Sequence, residues 1–483
     1  MKLFLKGHTD LYPVEQLQMQ MFPDEPSEHV QTPFFYENGA VSALYEGETF
    51  LTATAKITWN GKTATARKRL KKENATVRLR RQILQQAYYL AAVQVLGKEP
   101  PWGALAGVRP TKLSTKFLLD GGTRKGCDAL LRDTYFVSPA RRNLCIDSSL
   151  HTIRAAKLLR EKDLSLYIGI PFCPTRCAYC SFVSLGIEKF GHMVEPFLQA
   201  LLEEVKYTGE LLKNSPYTLR TLYIGGGTPT ILSTTQMSLL LKTIRESFDL
   251  SQCLEFTVEG GRPDTLSQKK LSVIQRAGVT RMSINPQTMN DAVLEKIGRK
   301  HTAAEALEAY RQAEKAGFKD VNMDLIAGLP GDTPETYRAS LEQVIALNPT
   351  NITVHTLALK KGADLFFNRA EIPTGEAVSQ MLNDSIALLR SAGYEPYYLY
   401  RQKYASGSFE NVGWCKPGHA GLYNIYMMEE LHSILALGGG GMNKVNLAPD
   451  VLERFHNPKY PKEYIERLSD VLDKKKQIFT LLP

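Results

Sequence analysis

From about residue 163 onward, the chain alternates short apolar runs with longer amphipathic ones. The apolar runs are Ser165–Ile170, Thr221–Ile224, Leu254–Val258, Arg281–Ile284, Val321–Ile326 and Asn351–His355. Their length and branched side chains predict buried strands. Between them, 197–212, 236–247, 303–316 and 334–347 carry apolar residues at helical spacing. Strand followed by helix, six times over, predicts an α/β fold of parallel strands with helices packed outside. Residues 1–160 read differently, with alternating runs at Thr52–Thr58 and Thr63–Arg67 and then a helical pattern over Leu79–Leu96. This pattern predicts a separate α+β domain. After residue 361 the pattern mixes helices with a tyrosine cluster, Tyr394, Tyr397, Tyr398, Tyr400 and Tyr404. Three domains are therefore expected: 1–160, 163–360 and 361–483.

The chemistry concentrates just after the first predicted strand of the repeating part. Cys173, Cys177 and Cys180 stand at C-x3-C-x2-C spacing, directly behind the apolar run that ends at Phe172. Three thiolates hold three corners of a 4Fe–4S cube and leave the fourth iron open to a substrate or cofactor. A structural zinc site needs a fourth Cys or His at similar local spacing, and Ser181 and Phe182 supply none.

Composition narrows the setting. With 483 residues, 43% of them hydrophobic, the chain can fill more than one core. The other four cysteines, Cys127, Cys145, Cys253 and Cys415, are scattered. That usage predicts a reducing cytoplasm rather than a disulfide framework. No apolar run has membrane-spanning length, and Met1 to Lys6 is too short and too interrupted for a signal peptide, so no membrane partner is expected. The net charge is +9, and Arg67 to Arg81 holds eight basic residues against one acid, Glu73. Such a patch suits a solvated strand edge and helix start, a polyanionic small molecule, or nucleic acid. No aromatic residue interleaves with it in sequence, so base stacking is not indicated and nucleic acid is not the expected partner. The segment Gly103–Lys112 reads as a loop leading into a helix at Pro110, with Arg109 and Lys112 available to an anion.

Four further strand ends carry polar signals. Gly225-Gly226-Gly227-Thr228-Pro229 begins 45 residues after Cys180 and allows close backbone approach to a ligand. Glu259 closes the third strand, Gln287 and Arg299 follow the fourth, and the fifth ends Asp324-Leu325-Ile326-Ala327-Gly328-Leu329-Pro330-Gly331. An acid and an amide can bind hydroxyls or an ammonium, and an Arg fork can pair with a carboxylate.

In order and spacing, the run Leu166 to Cys173, the three cysteines, GGGTP, Glu259, Gln287 with Arg299, and DLIAGLPG resemble the radical S-adenosylmethionine (SAM) superfamily. Within it they are similar to the oxygen-independent coproporphyrinogen III oxidase (coproporphyrinogen dehydrogenase) family and its HemZ-like branch. The resemblance covers about 165 to 360 well and continues more weakly to the end. It implies a partial (β/α)6 barrel with an N-terminal α+β domain and a C-terminal α+β extension covering the barrel. It also implies a 4Fe–4S cluster on Cys173, Cys177 and Cys180. Tyr167 would lie beneath the cluster, and Tyr179 would stand where backbone meets the adenine. Gly226, Gly227, Thr228, Glu259, Gln287, Arg299 and Asp324 would line the SAM site. The sequence departs from the family at Gly169, where a His is common, and at Phe182, where the oxidases carry a further cysteine.

The reaction implied is oxidative decarboxylation of two propionates of coproporphyrinogen III to vinyl groups, giving protoporphyrinogen IX in the cytoplasm. A low-potential donor such as flavodoxin or ferredoxin would supply electrons, and Arg109, Arg262 and Arg401 are candidates by type for holding substrate carboxylates. Two alternatives belong to the same branch: a haem-binding chaperone, for which His192, His355, His419 or His432 could be ligands, and a haem-acting radical methyltransferase. A third, an RNA-modifying radical enzyme, rests on the basic patch. Gly438 to Gly441 could approach substrate or form a turn.

Overall fold

The computed structural model describes all residues except 24, 33–36, 182–183, 360–362, 364–370, 403–408 and 449–450. The chain divides into two compact units, Met1–Ile146 and Asp147–Pro483.

The first unit is built on a five-stranded sheet. Its strands are β1 (Lys2–Lys6), β2 (Glu28–Val30), β3 (Gly39–Glu46), β4 (Phe50–Trp59) and β5 (Lys62–Lys71), in the order β2-β1-β3-β4-β5. Leu51, Ala53, Ala55 and Ile57 alternate along β4 and are all buried. Together with Leu3, they meet Val14 and Leu17 of helix Leu11–Met21 and Ile83, Leu84, Ala87 and Ala91 of helix Val77–Leu96. Thr76 caps the longer helix by accepting from Leu79 N, and Gly97 ends it in the left-handed conformation at φ 66°. Helix Thr111–Leu119 starts directly after Pro110, the loop-to-helix arrangement its sequence suggested.

The second unit holds two further sheets. Its strands are β6 (Asp163–Ile170), β7 (Phe172–Cys173), β8 (Leu185–Gly186), β9 (Thr218–Gly226), β10 (Glu255–Glu259), β11 (Arg281–Gln287), β12 (Asp320–Ala327), β13 (Asn351–Thr356), β14 (Glu395–Arg401), β15 (Glu410–Cys415), β16 (Ile434–Gly438), β17 (Met442–Ala448) and β18 (Val451–His456). β7 and β8 pair as a short separate ribbon. The other eleven form one sheet in the order β14-β15-β13-β12-β11-β10-β9-β6-β16-β17-β18. Its centre, β6 and β9 to β13, is parallel and runs in chain order. This is the wiring of the expected partial (β/α)6 barrel. The helices Val194–Lys213, Thr234–Ser247, Gln268–Arg276, Ala303–Lys315 and Pro334–Ala346 connect successive strands. Capping boxes at Ser233/Gln236 and Thr302/Glu305 start two of them. Residues after 361 extend this sheet at both edges: β15 adds antiparallel to β13, and β16 adds parallel to β6.

Side chains alternate across the parallel strands and give the sheet two different faces. One face presents Leu166, Ile168, Leu222, Ile224, Phe256, Val258, Met282 and Ile284, all buried. The other presents Tyr167, Tyr223, Thr257, Glu259, Ser283, Asn285, Asp324 and His355. Helix Leu422–Glu429 abuts the start of β10, where the Glu255 carboxylate accepts from Leu422 N at 2.7 Å and Tyr423 N at 3.0 Å. Among the described residues no helix is long and apolar enough to cross a membrane.

Candidate active site

The polar face of the parallel strands leads to the cysteine segment at its carboxyl end. Cys173 closes β7, immediately behind β6, and Gly227 N and Thr228 N donate to the carbonyls of Ile170 and Phe172 at 2.9 and 2.8 Å. This clamps the glycine loop against the first cysteine. A Cβ on Gly227 would come within 2.5 Å of Phe172 O and 2.9 Å of Cys173 Sγ, so only glycine fits. Thr228 Oγ1 reaches Cys173 Sγ at 3.5 Å. Burial pushes the Cys173 thiol up, against hydrogen bonds from Thr228 and Ser184. A thiolate at that position therefore calls for a cation beside it.

The rest of the cysteine loop is held from below. Ala178 N donates to Ile297 O at 3.0 Å, Cys180 N donates to Cys177 O at 3.0 Å, and Arg262 Nη1 donates to Thr175 Oγ1 at 2.7 Å. Arg262 is 2% exposed and forks onto Asp264 at 3.1 and 3.2 Å, so it braces this loop and has no free fork for a substrate carboxylate. Phe182 lies outside the described residues. Among the described residues no three His, Cys, Asp or Glu side chains converge as they would on a single metal ion. A cube asks for something else, three thiolates on three separate irons.

Glu259 and Asp324 sit within the polar face but titrate differently. Burial pushes the Glu259 carboxyl up to about 7, despite a 2.5 Å hydrogen bond from the Tyr223 hydroxyl, and the Asp324 charge adds to the rise. Asp324 is half-buried, and His355, Asn322 and Thr353 more than offset its desolvation and hold it below its usual range. Asn322 Nδ2 donates to it at 2.6 Å, and His355 Nε2 lies 3.7 Å away. Two neighbouring acids with divergent environments mark a functional site. Among the described residues Glu259 forms no ion pair, although His355 lies near enough to act on its charge, and an incoming ammonium would supply a direct partner.

β11 ends irregularly. Its register against β12 shifts between Ile284 and Gln287, and Gln287 adopts φ 72°, a left-handed conformation for a non-glycine residue. Bulges and strain of this kind cluster at functional sites. Buried Ser283 Oγ, Asn285 Oδ1, Gln287 Oε1 and Arg299 Nε have no partner. Arg299 Nη1 donates to Asn285 O at 2.5 Å and Nη2 to the Tyr179 hydroxyl at 3.2 Å, so its fork faces the cysteine loop. These unsatisfied groups beside a cradle that only glycine fits suit a polar ligand such as SAM.

The structure thus brings Cys173, Gly227 and Thr228 together, places Tyr179 on Arg299, and sets Glu259 with Asp324 on the polar face of the sheet. Tyr167 stacks with two residues that sequence reasoning missed, Tyr223 (6.2 Å between centroids) and Tyr423 (6.4 Å). Tyr223 was legible only as a polar position in alternation, whereas Tyr423 comes from a helix 200 residues later in the chain. Of the tyrosine cluster, Tyr394, Tyr397 and Tyr398 are 1–5% exposed, Tyr398 and Tyr400 lie near enough to Asp324 to feel its charge, and Tyr404 lies outside the described residues. His432 bonds Ser165 at 2.7 Å, His419 pairs with Asp320 at 2.6 Å, and His192 is exposed. Arg401 is buried at the end of β14. Gly169 is packed: a Cβ there would meet Gly439 O at 2.9 Å, so the Gly438–Gly441 turn occupies the space a His would need.

The profile of the radical SAM superfamily matches residues 167–344. HemZ of Bacillus subtilis, an oxygen-independent coproporphyrinogen-III oxidase-like protein, is 40% identical over 396 residues, covering 80% of this chain and 79% of its own. The chain belongs to this radical SAM family. The haem chaperone HemW of Haemophilus influenzae is 31% identical over 62% of this chain and 76% of its own. The oxygen-independent coproporphyrinogen III oxidase of Escherichia coli is 30% identical over 50% of this chain and 53% of its own. The solved structure of coproporphyrinogen III oxidase (HemN) from Escherichia coli superimposes with a TM-score of 0.54 at 24% identity, covering 66% of this chain and 72% of that one, and shows the same fold. A 4Fe–4S cluster and SAM are therefore the cofactors of this radical SAM protein.

Proposed function

We propose that this protein is a coproporphyrinogen III dehydrogenase that converts two propionate side chains to vinyl groups, with Cys173, Cys177 and Cys180 holding the cluster. The observation that carries the reading is the half-buried Glu259 at the end of β10, a carboxyl pushed up to about 7 that forms no ion pair among the described residues and sits against the glycine loop beside Cys173. When bound, the reduced cluster and SAM supply hydrogen-abstracting, one-electron chemistry that no side chain can provide. The protein's share is orientation and exclusion of water. Glu259, held by Tyr223, would take the ligand ammonium, while Gln287 and Asp324 would take hydroxyls. The tyrosine stack would close the space beneath. Similarity to both an oxidase-like protein and an oxidase supports tetrapyrrole decarboxylation.

A haem chaperone is the second reading, favoured by the relatives that carry that name. An anaerobic assay with coproporphyrinogen III, SAM, a low-potential reductant and an electron acceptor separates the two. Loss of carbon dioxide and two hydrogens per propionate, matched by 5′-deoxyadenosine, is expected. Stoichiometric haem binding with unchanged tetrapyrrole and no SAM cleavage would replace the dehydrogenase with the chaperone.

A further inference from the structure

Among the described residues, the helices packed on the sheet of the first unit meet it on the face of Leu51, Ala53, Ala55 and Ile57. The opposite face can be read from the strand register, because directly paired residues share a face. One cross-strand row is Tyr45, Thr52 and Arg69. The next is Lys6, Ala43, Thr54 and Arg67, and the third is Phe4, Val41, Lys56 and Thr65. Beyond Tyr45, Phe50 pairs with Lys71.

Lys6, Lys56, Arg67, Arg69 and Lys71 are all exposed on this face, with Tyr45 47% and Phe50 38% exposed among them. Lys71 meets Glu73 at 3.2 Å in a solvent-exposed pair, and Lys6 lies 5.6 Å from the Tyr45 ring centroid. No described residue forms a hydrogen bond or ion pair with the side chain of Lys56, Arg67 or Arg69. These rows hold no acid among the described residues; Glu28 stands opposite Lys2 in the next row at the far edge, and Glu48 is exposed in the turn before Phe50. Charges on an edge strand guard against strand addition, which would account for β5 alone. It does not account for Lys56 on β4, Lys6 on β1, or the aromatic rings beside them.

We propose that this open sheet face binds single-stranded nucleic acid. Arg67, Arg69, Lys56, Lys6 and Lys71 would follow the phosphates, and Tyr45 with Phe50 would stack on bases. Charge complementarity selects a polyanion, and flat rings among the cations select one with exposed bases. The rings come from neighbouring strands, so the linear sequence did not show them next to the basic run. The assignment does not depend on the reaction proposed for the second unit.

The test is fluorescence anisotropy of the full chain with a labelled uridine dodecamer, with a thymidine dodecamer in parallel. If all five cations engage phosphates, each releasing about 0.7 counterion, affinity falls about 100-fold between about 50 and about 200 mM salt. The double substitution Arg67→Glu/Arg69→Glu should weaken binding more than about tenfold, and Tyr45→Ala should weaken it several-fold through lost stacking. Both sites are exposed, and an unchanged melting midpoint would confirm folding of each variant. Tighter binding of the uridine oligomer assigns RNA, and equal binding assigns either strand through shared phosphates and bases. The inference is overturned if neither oligomer binds saturably at low salt. It is overturned equally if the double substitution leaves affinity within about twofold, or if a polyglutamate peptide of equal charge binds more tightly.

Discussion

Tyr223→Phe isolates the hydrogen bond that restrains Glu259. The Tyr223 hydroxyl donates to Glu259 Oε1 at 2.5 Å and favours the carboxylate against desolvation, leaving the group at about 7. A hydrogen bond to a charged group contributes about 1.5–3 kcal/mol, so losing it should raise the carboxyl by about one to two pH units. At pH 7.5 the ionised fraction would then drop from about three quarters to between about a quarter and about 3%. If the carboxylate holds the SAM ammonium, affinity for SAM falls about 3-fold to about 25-fold at that pH. Isothermal titration of the reconstituted protein from pH 6 to 8.5 reads this directly. The acid limb of the affinity profile should move upward in Tyr223→Phe while cluster absorbance stays the same. An unmoved acid limb would refute the role assigned to Glu259, as would a loss of affinity equal at every pH.

Three other outcomes are expected. Replacing Cys173, Cys177 or Cys180 with Ala should abolish the broad iron–sulfur absorption and 5′-deoxyadenosine formation, and full cluster content in all three variants would remove the ligand assignment. Lys475 and Glu204 are both 0% exposed and 3.3 Å apart, so Lys475→Met should cost about 3–5 kcal/mol by stranding the carboxylate; adding Glu204→Gln should recover part of the lost melting temperature. Burial holds His432 down to about 3, so the folded form binds fewer protons than the unfolded form between about 6.5 and about 3. Its contribution to stability is full above about 6.5 and falls by about 1.4 kcal/mol per pH unit below it. His432→Gln should flatten that part of the denaturation profile, and an unchanged slope would show that other groups govern it.

The repeating half of the fold was legible because its signals are local. Val321–Ile326 and Asn351–His355 became strands within two residues of their expected limits, since β-branched runs between helical patterns admit few alternatives. Helix Gln268–Arg276 escaped because Gln268, Lys269 and Gln275 dilute its three buried positions, Lys270, Leu271 and Ile274. β1 and β3 escaped because their pairing is parallel and joins residues 37 apart, which no short window reveals. The cysteines, glycine loop and acids were visible as candidates through residue type and spacing. The bulge at Gln287 and the restraint of Glu259 by Tyr223 did not, because each arises from register between strands. Helix Leu422–Glu429 needed Glu255, far away in sequence, to cap its start.

The position of β6 has a consequence for the order of assembly. This strand leads directly into Cys173, yet its two neighbours arrive at very different times: β9 follows within 60 residues, and β16 only at Ile434. During synthesis β6 is an open edge for most of the chain's length. When β16 arrives, its terminal Gly438 N is bonded to Glu204, which Lys475, Tyr464 and Asn457 bind in turn. The last helix therefore latches the strand that presents the first cysteine. The scaffold beside that thiol is complete only once residues 434–475 have been made, and until then β6 lacks its neighbour on that side.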